Sequence, residues 1–254
     1  MTASLRAWLQ RLLAVQAVDR AAALAGLAFT AIVPFLIVFD AVAPAIERRD
    51  FAEGVIARFD LNGVAASAVR EALAPPEDVR QSIGVVGAVL VLVSALAFAR
   101  ALQRLYESAF GLPALGGLRG APATAVWLAL IPAAVTLGDA VDVLFDGVAA
   151  SVLRLACAVA FWTASPFVLL RRRLDWRRLV ATGAITAIVF VLLISATALW
   201  MTRTVGESAE RYGVIGVAFP LLSWLLLAGF ALVASAAAGA ILTERRAAAI
   251  TRTG

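Results

Sequence analysis

The sequence has no histidine and no lysine, and Cys157 is its only thiol. Each absence removes a class of chemistry. Without histidine or a cysteine cluster, zinc and other transition metals have almost no usable ligands. Without lysine there is no Walker-type phosphate lysine and no Schiff base. Histidine triads and histidine general acid–base catalysis are excluded as well. One cysteine cannot close an internal disulfide, so nothing here reports the redox compartment. Charge is scarce too. Of 254 residues, 15% are charged and 63% hydrophobic, against roughly 25% and 45–50% in an ordinary soluble domain. Mean hydropathy is +0.94. Too few polar residues remain to cover a surface in water without large apolar patches, so a bilayer is the natural solvent.

A membrane helix needs ~20 predominantly apolar residues to cross ~30 Å of hydrocarbon. Six stretches qualify, at about 21–46, 82–103, 122–145, 149–170, 178–202 and 212–242. The first follows an amphipathic basic stretch, Met1 to Arg20. Its apolar run is too long for a signal-peptide core and no small-residue cleavage site follows, so it reads as a retained span. The expected fold is an all-α integral membrane protein, a single membrane domain over 1–254. Arginine counts give its orientation. With the N-terminus inside, the inner segments hold Arg6, Arg11 and Arg20, then Arg100, Arg104 and Arg119, then the five of 171–178, then Arg245, Arg246 and Arg252. That makes fourteen arginines, against seven on outer segments and Arg154 within the fourth span. Both termini are therefore expected in the cytoplasm.

Between the first two spans, residues 47–81 form a polar segment expected outside. Phe51, Val55 and Phe59 recur every four residues; Val64, Ala68, Val69, Ala72 and Leu73 continue after Asn62-Gly63. The pattern predicts two short amphipathic helices ended by Pro75-Pro76. They either cap the bundle or lie on the outer membrane surface.

Ionisable groups within spans are costly and hence informative. Asp139, Asp142 and Asp146 fall at the end of the third span. At 100° per residue they share one face, expected to point into the bundle or a wet cavity. Arg154, about one turn into the fourth span, is the expected partner of Asp146, and Asp40 sits at a similar outward depth. This acidic face either receives protons, cations or a polar headgroup, or forms a structural pair beside a hydrated interface. At the inner end of the second span, Arg100, Gln103 and Arg104 share a face. Arginine forks bind phosphate bidentately, so the trio is a candidate headgroup or anion site. The alternative is snorkelling, which only fixes helix depth. Pro34, Pro132, Pro166 and Pro220 interrupt four of the spans.

Four stretches carry a family likeness. Ala21-Ala22-Ala23-Leu24-Ala25 precedes Phe29 and Pro34. The run from Ser94 to Arg104 precedes Phe110-Gly111. Asp175-Trp176-Arg177 leads to Gly183-Ala184, and Tyr212-Gly213-Val214-Ile215-Gly216 leads to Trp224. In order and spacing they resemble the YihY/BrkB family of bacterial inner-membrane proteins, once labelled ribonuclease BN. Departures from its pattern fall at Gly26-Leu27 in place of paired tyrosines and Glu107-Ser108 in place of Asn-Arg. Two more are Thr182 in place of proline and Ile241 in place of an acidic residue. The resemblance implies a six-span plasma-membrane protein engaged in transport or lipid translocation; a non-transporting scaffold for envelope integrity is the alternative. Neither an enzyme nor a nucleic-acid binder is expected, since scattered carboxylates build no catalytic site and the basic loops follow from topology. Membrane lipids are the expected partners, with homo-oligomerisation or an envelope partner left open, and no metal or cofactor is expected.

Overall fold

A computed structural model describes residues 3–42, 77–115, 120–212 and 214–253, with isolated positions between 52 and 70. The described helices are α1 (Ala3–Ala14), α2 (Ala17–Val42), α3 (Glu77–Ala109), α4 (Ala121–Leu144), α5 (Gly147–Leu169), α6 (Trp176–Tyr212) and α7 (Val214–Thr253). Among the described residues, five helices are long and apolar enough to cross a bilayer. The beginning of the chain qualifies only as a pair, Trp8–Ala14 with Ala17–Ile32, bent by 60°. Gln16 makes that bend by entering the left-handed region at φ 52°. The Arg20 Nε donates to the Val15 carbonyl, just past the end of α1, at 2.6 Å.

Three boundaries differ from those expected. Helix α3 starts at Glu77, inside the segment expected outside the membrane. Residues 203–211, expected as a loop, continue α6 to Tyr212. Helix α7 runs to Thr253. At ~1.5 Å per residue, α6 (37 residues) and α7 (40 residues) are about 55 and 60 Å long, well beyond the ~30 Å of a hydrocarbon core. Hydropathy registers only the part of a helix that meets lipid, so a polar extension reads as loop.

The chain divides into two compact units: residues 1–24, 96–191 and 228–254 in one, 25–95 and 192–227 in the other. The first holds a core in which Leu102, Leu105, Tyr106, Leu169, Leu170 and Val233 are all but inaccessible. Trp127 on α4 donates through Nε1 to Ser165 Oγ on α5 at 3.0 Å, so the polar edge of a large buried ring is satisfied. Helices α5, α6 and α7 approach closely through glycines. A Cβ on Gly183 would lie 2.1 Å from Thr163 Oγ1, and one on Gly239 would lie 2.0 Å from Thr182 Oγ1. Each threonine oxygen thus faces a glycine Cα–H, the geometry of a weak C–H···O contact. Neither oxygen has a conventional hydrogen-bond partner among the described residues.

In the second unit, Trp224 Nε1 on α7 donates to Thr197 Oγ1 on α6 at 2.7 Å, and that hydroxyl donates back to the Leu193 carbonyl at 2.6 Å. Ala52, Ile56 and Ala66 are buried. Arg70 meets Glu53 as a fork, at 2.8 and 3.1 Å. The hydrogen bond and charge of Glu53 raise the Arg70 pKa above its ordinary value. The apolar positions predicted for this segment, from Phe51 to Leu73, lie outside the described side chains.

Candidate functional site

Helices α4 and α5 form an antiparallel hairpin whose tip carries most of the predicted charges. Phe145 (φ −137°, ψ 144°) ends α4, and Asp146, also extended, caps α5 without a side-chain hydrogen bond. Gly147 then starts α5 at φ +64°, a conformation glycine adopts without strain. Asp139, Asp142, Asp146 and Arg154 are all exposed. Asp139 and Asp142 therefore do not point into the bundle interior, one of the two directions expected, and Asp146, beyond the end of α4, does not share their helical face; on α4 the buried positions are Ala123, Thr124, Trp127 and Val141.

The expected pairing is also corrected. Arg154 Nε lies 3.2 Å from Asp142 Oδ1, with both side chains about half exposed (53% and 51%). Side chains on a helix lean toward its N-terminus. Arg154 therefore reaches toward the hairpin tip, while Asp142 leans back from it, and the two meet. Asp146 caps α5 some eight residues above Arg154, about 12 Å along the axis at ~1.5 Å per residue.

Below this ion pair the two helices frame a cleft of about 550 Å³. Small residues, among them Ala133, Ala134, Gly138 and Ala158, leave the space; Leu130, Phe161 and Trp162 wall it. Arg154 and Cys157 also line it. Apart from the guanidinium its lining is almost wholly apolar. The hairpin is apolar outside as well, with Val143, Leu144 and Val148 exposed by 72–84%. An exposed apolar face bearing one ion pair at its end matches the boundary between acyl chains and headgroups.

The other predicted cluster is split. Arg104 is exposed and donates from Nε to the Arg100 carbonyl at 3.3 Å, while Arg100 is half-buried. Gln103 is buried at 2% exposure and donates from Nε2 to Glu107 Oε1 at 3.0 Å. The three therefore do not form one headgroup surface.

Gln103 instead leads to a polar centre not predicted from the sequence. Glu107, 2% exposed, accepts at Oε1 from Arg173 Nη2 at 2.7 Å and from the Leu115 N–H at 3.1 Å. Arg173 also donates from Nη1 to the Pro113 carbonyl (2.8 Å) and from Nε to the Leu170 carbonyl (3.1 Å). One guanidinium thus ties the α3 exit to the α5–α6 turn. In that turn Arg171 and Arg172 both take left-handed conformations, φ 54° and 57°. Gly120, at the start of α4, sits so close that a Cβ would lie 2.7 Å from Gln103 Oε1.

A family model described as Virulence factor BrkB matches residues 8–254. The chain belongs to the BrkB family. None of the curated proteins and no solved structure matches. Of the positions that carry the likeness to BrkB proteins, Trp176 is exposed at 52% with the Arg177 guanidinium 5.7 Å above its ring. Trp224 is the α7 partner of Thr197. Pro34 and Asp40 lie on α2, Tyr212 ends α6 and Gly216 lies on α7, but their side chains fall outside the described residues, as does Gly213 altogether.

Proposed function

We propose that this BrkB-family chain is a six-span protein of the bacterial plasma membrane, with both termini cytoplasmic, that moves amphipathic molecules, phospholipids foremost, across the bilayer. The observation that carries this reading is the α4–α5 cleft, an apolar recess on the exposed side of the hairpin with Arg154 and Asp142 at one end. A lipid-facing ion pair is costly unless polar groups meet it, and the headgroup layer supplies them. Helices α5, α6 and α7 pack closely at Gly183 and Gly239. This favours an amphipath handled at the surface over a solute passed through a pore. The same packing also suits a rigid scaffold without transport, which is the second reading. No enzymatic activity is proposed.

The test is reconstitution in vesicles carrying fluorescent phospholipid, with dithionite reporting lipid on the outer leaflet. Translocation predicts bleaching beyond the half expected of a static bilayer; a plateau at half, with properly inserted protein, rejects it. Orientation is tested separately with Leu174→Cys in a Cys157→Ser background. The 174 thiol is expected to resist an impermeant maleimide added to intact spheroplasts and to react after lysis. Labelling from outside would reverse the assigned topology.

A further inference from the structure

We propose that the α4–α5 cleft is a binding site for one phospholipid of a single leaflet, and that it selects a zwitterionic headgroup whose ammonium carries N–H donors over an anionic one. The site rests on the reading above that this chain handles lipid, but it makes a narrower claim, about where and which.

Length comes first. The cleft runs from Gly138 and Arg154 at one end to Leu130 and Ala164 at the other. Eight residues of α4 and ten of α5 give about 12–15 Å at ~1.5 Å per residue. That is about half of a ~30 Å hydrocarbon core, so the recess matches an acyl chain of one leaflet and stops where a leaflet stops. Its walls alternate in size along the helices, with Ala133, Ala134 and Ala158 leaving a channel beside Phe161 and Trp162. An aromatic wall holds a flexible chain without demanding a fixed shape.

Charge then decides the headgroup. The charged groups stand at one end of the cleft, where Arg154 lines it and Asp142 stands 3.2 Å from the guanidinium. Asp139 and Asp146, both exposed, flank Asp142 on the same helical face or at the turn. Three carboxylates to one guanidinium leave this rim net negative. An anionic phospholipid such as phosphatidylglycerol brings its phosphate charge with no cation beside it and is disfavoured. A phosphoethanolamine headgroup brings both signs: its phosphate accepts from Arg154 in a charge-assisted bond, and its ammonium donates to Asp142 or a neighbouring carboxylate. The ion pair seen here opens and each member exchanges for a ligand charge, which half-exposed side chains can do at little cost.

The test uses diazirine-chain phosphatidylethanolamine and diazirine-chain phosphatidylglycerol, each at equal mole fraction in phosphatidylcholine vesicles holding the full chain, photolysed and mapped by mass spectrometry. Adducts on α4 from 130 to 138 and on α5 from 157 to 164 are expected in roughly two- to fivefold excess for phosphatidylethanolamine, the scale of one exposed ion pair. Asp139→Asn/Asp142→Asn, which makes the rim neutral, is expected to bring that ratio to about one, and Arg154→Gln, which removes the partner of the phosphate both lipids carry, to lower cleft adducts from both, while adducts elsewhere on the protein stay unchanged. That second readout reports on folding. Equal labelling of the cleft by the two lipids overturns the selectivity. Absence of cleft adducts overturns the site, and a Cys157–Cys157 cross-link between two chains under oxidation would identify a second copy as its cover. Failure of the site with persistent dithionite bleaching leaves translocation standing. Selective labelling without bleaching leaves the site standing and removes translocation.

Discussion

Gly239→Ala is expected to leave little folded protein in detergent. The added methyl would stand 2.0 Å from Thr182 Oγ1, 2.6 Å from its Cβ and 2.8 Å from its Cα. Overpacking costs about 1–3 kcal/mol where neighbours can move, but here the obstruction includes main chain, so α6 and α7 must separate. The expected loss is therefore at or above the top of that range. Trimming the side chain does not rescue it: Thr182→Ala in the same background removes the hydroxyl and leaves Cβ and Cα in place. Gly183→Ala meets the Thr163 oxygen at 2.1 Å and its backbone nitrogen at 2.7 Å and is expected to behave alike. Gly138, with nothing within 4 Å of its absent Cβ, is the internal control, and Gly138→Ala is expected to preserve the fold. Thermal unfolding followed by size-exclusion fluorescence measures all four variants. A native-like midpoint for Gly239→Ala would refute the close approach of α6 and α7.

Removing Arg173 is expected to be the second large effect. Arg173→Ala leaves the Glu107 carboxylate buried with only the Gln103 amide and the Leu115 N–H as donors. Breaking a buried pair on one side costs about 3–5 kcal/mol. Glu107→Gln is expected to cost less, because the amide oxygen still accepts from Arg173 and Leu115 while the remaining guanidinium is partly exposed (24%). The combination Arg173→Ala/Glu107→Gln is expected to be more stable than Arg173→Ala alone, since the orphaned charge is gone. A double mutant less stable than both single variants would show that the pair contributes through packing and not through charge.

These two effects mark where sequence reasoning stops. Five of the six spans were legible among the described residues because ~20 apolar residues in a row have one economical environment, whereas the first qualifies only as a bent pair of helices. Boundaries were not legible where helices leave lipid. Arg203 and Arg211 make 203–211 look like a loop, yet α6 carries them to Tyr212. The acidic residues of α4 could be placed on a common face, but not the direction in which that face points, which depends on what packs beside Val141. Arg154 was assigned to the carboxylate nearest across the turn; the lean of side chains along two antiparallel helices selects Asp142. Gln103 shares a helix face with Arg100 and Arg104 by spacing, but the edge of the buried stripe falls between Gln103 and Arg104. The Glu107–Arg173 contact links positions 66 apart, beyond any local periodicity. Two departures from the BrkB pattern did point inward without saying so: Glu107 is the acceptor of that contact, and Thr182 is the residue packed on Gly239.

The turn between α5 and α6 sets two consecutive arginines, 171 and 172, at φ 54° and 57°. Glycine would occupy both positions without the penalty of about 1–2 kcal/mol that a side chain brings to each. Positive charge is held there against backbone preference. Arg171→Gly and Arg172→Gly are therefore expected to tighten the fold while weakening whatever fixes this hairpin's sidedness during insertion, a separation of thermodynamic stability from correct threading.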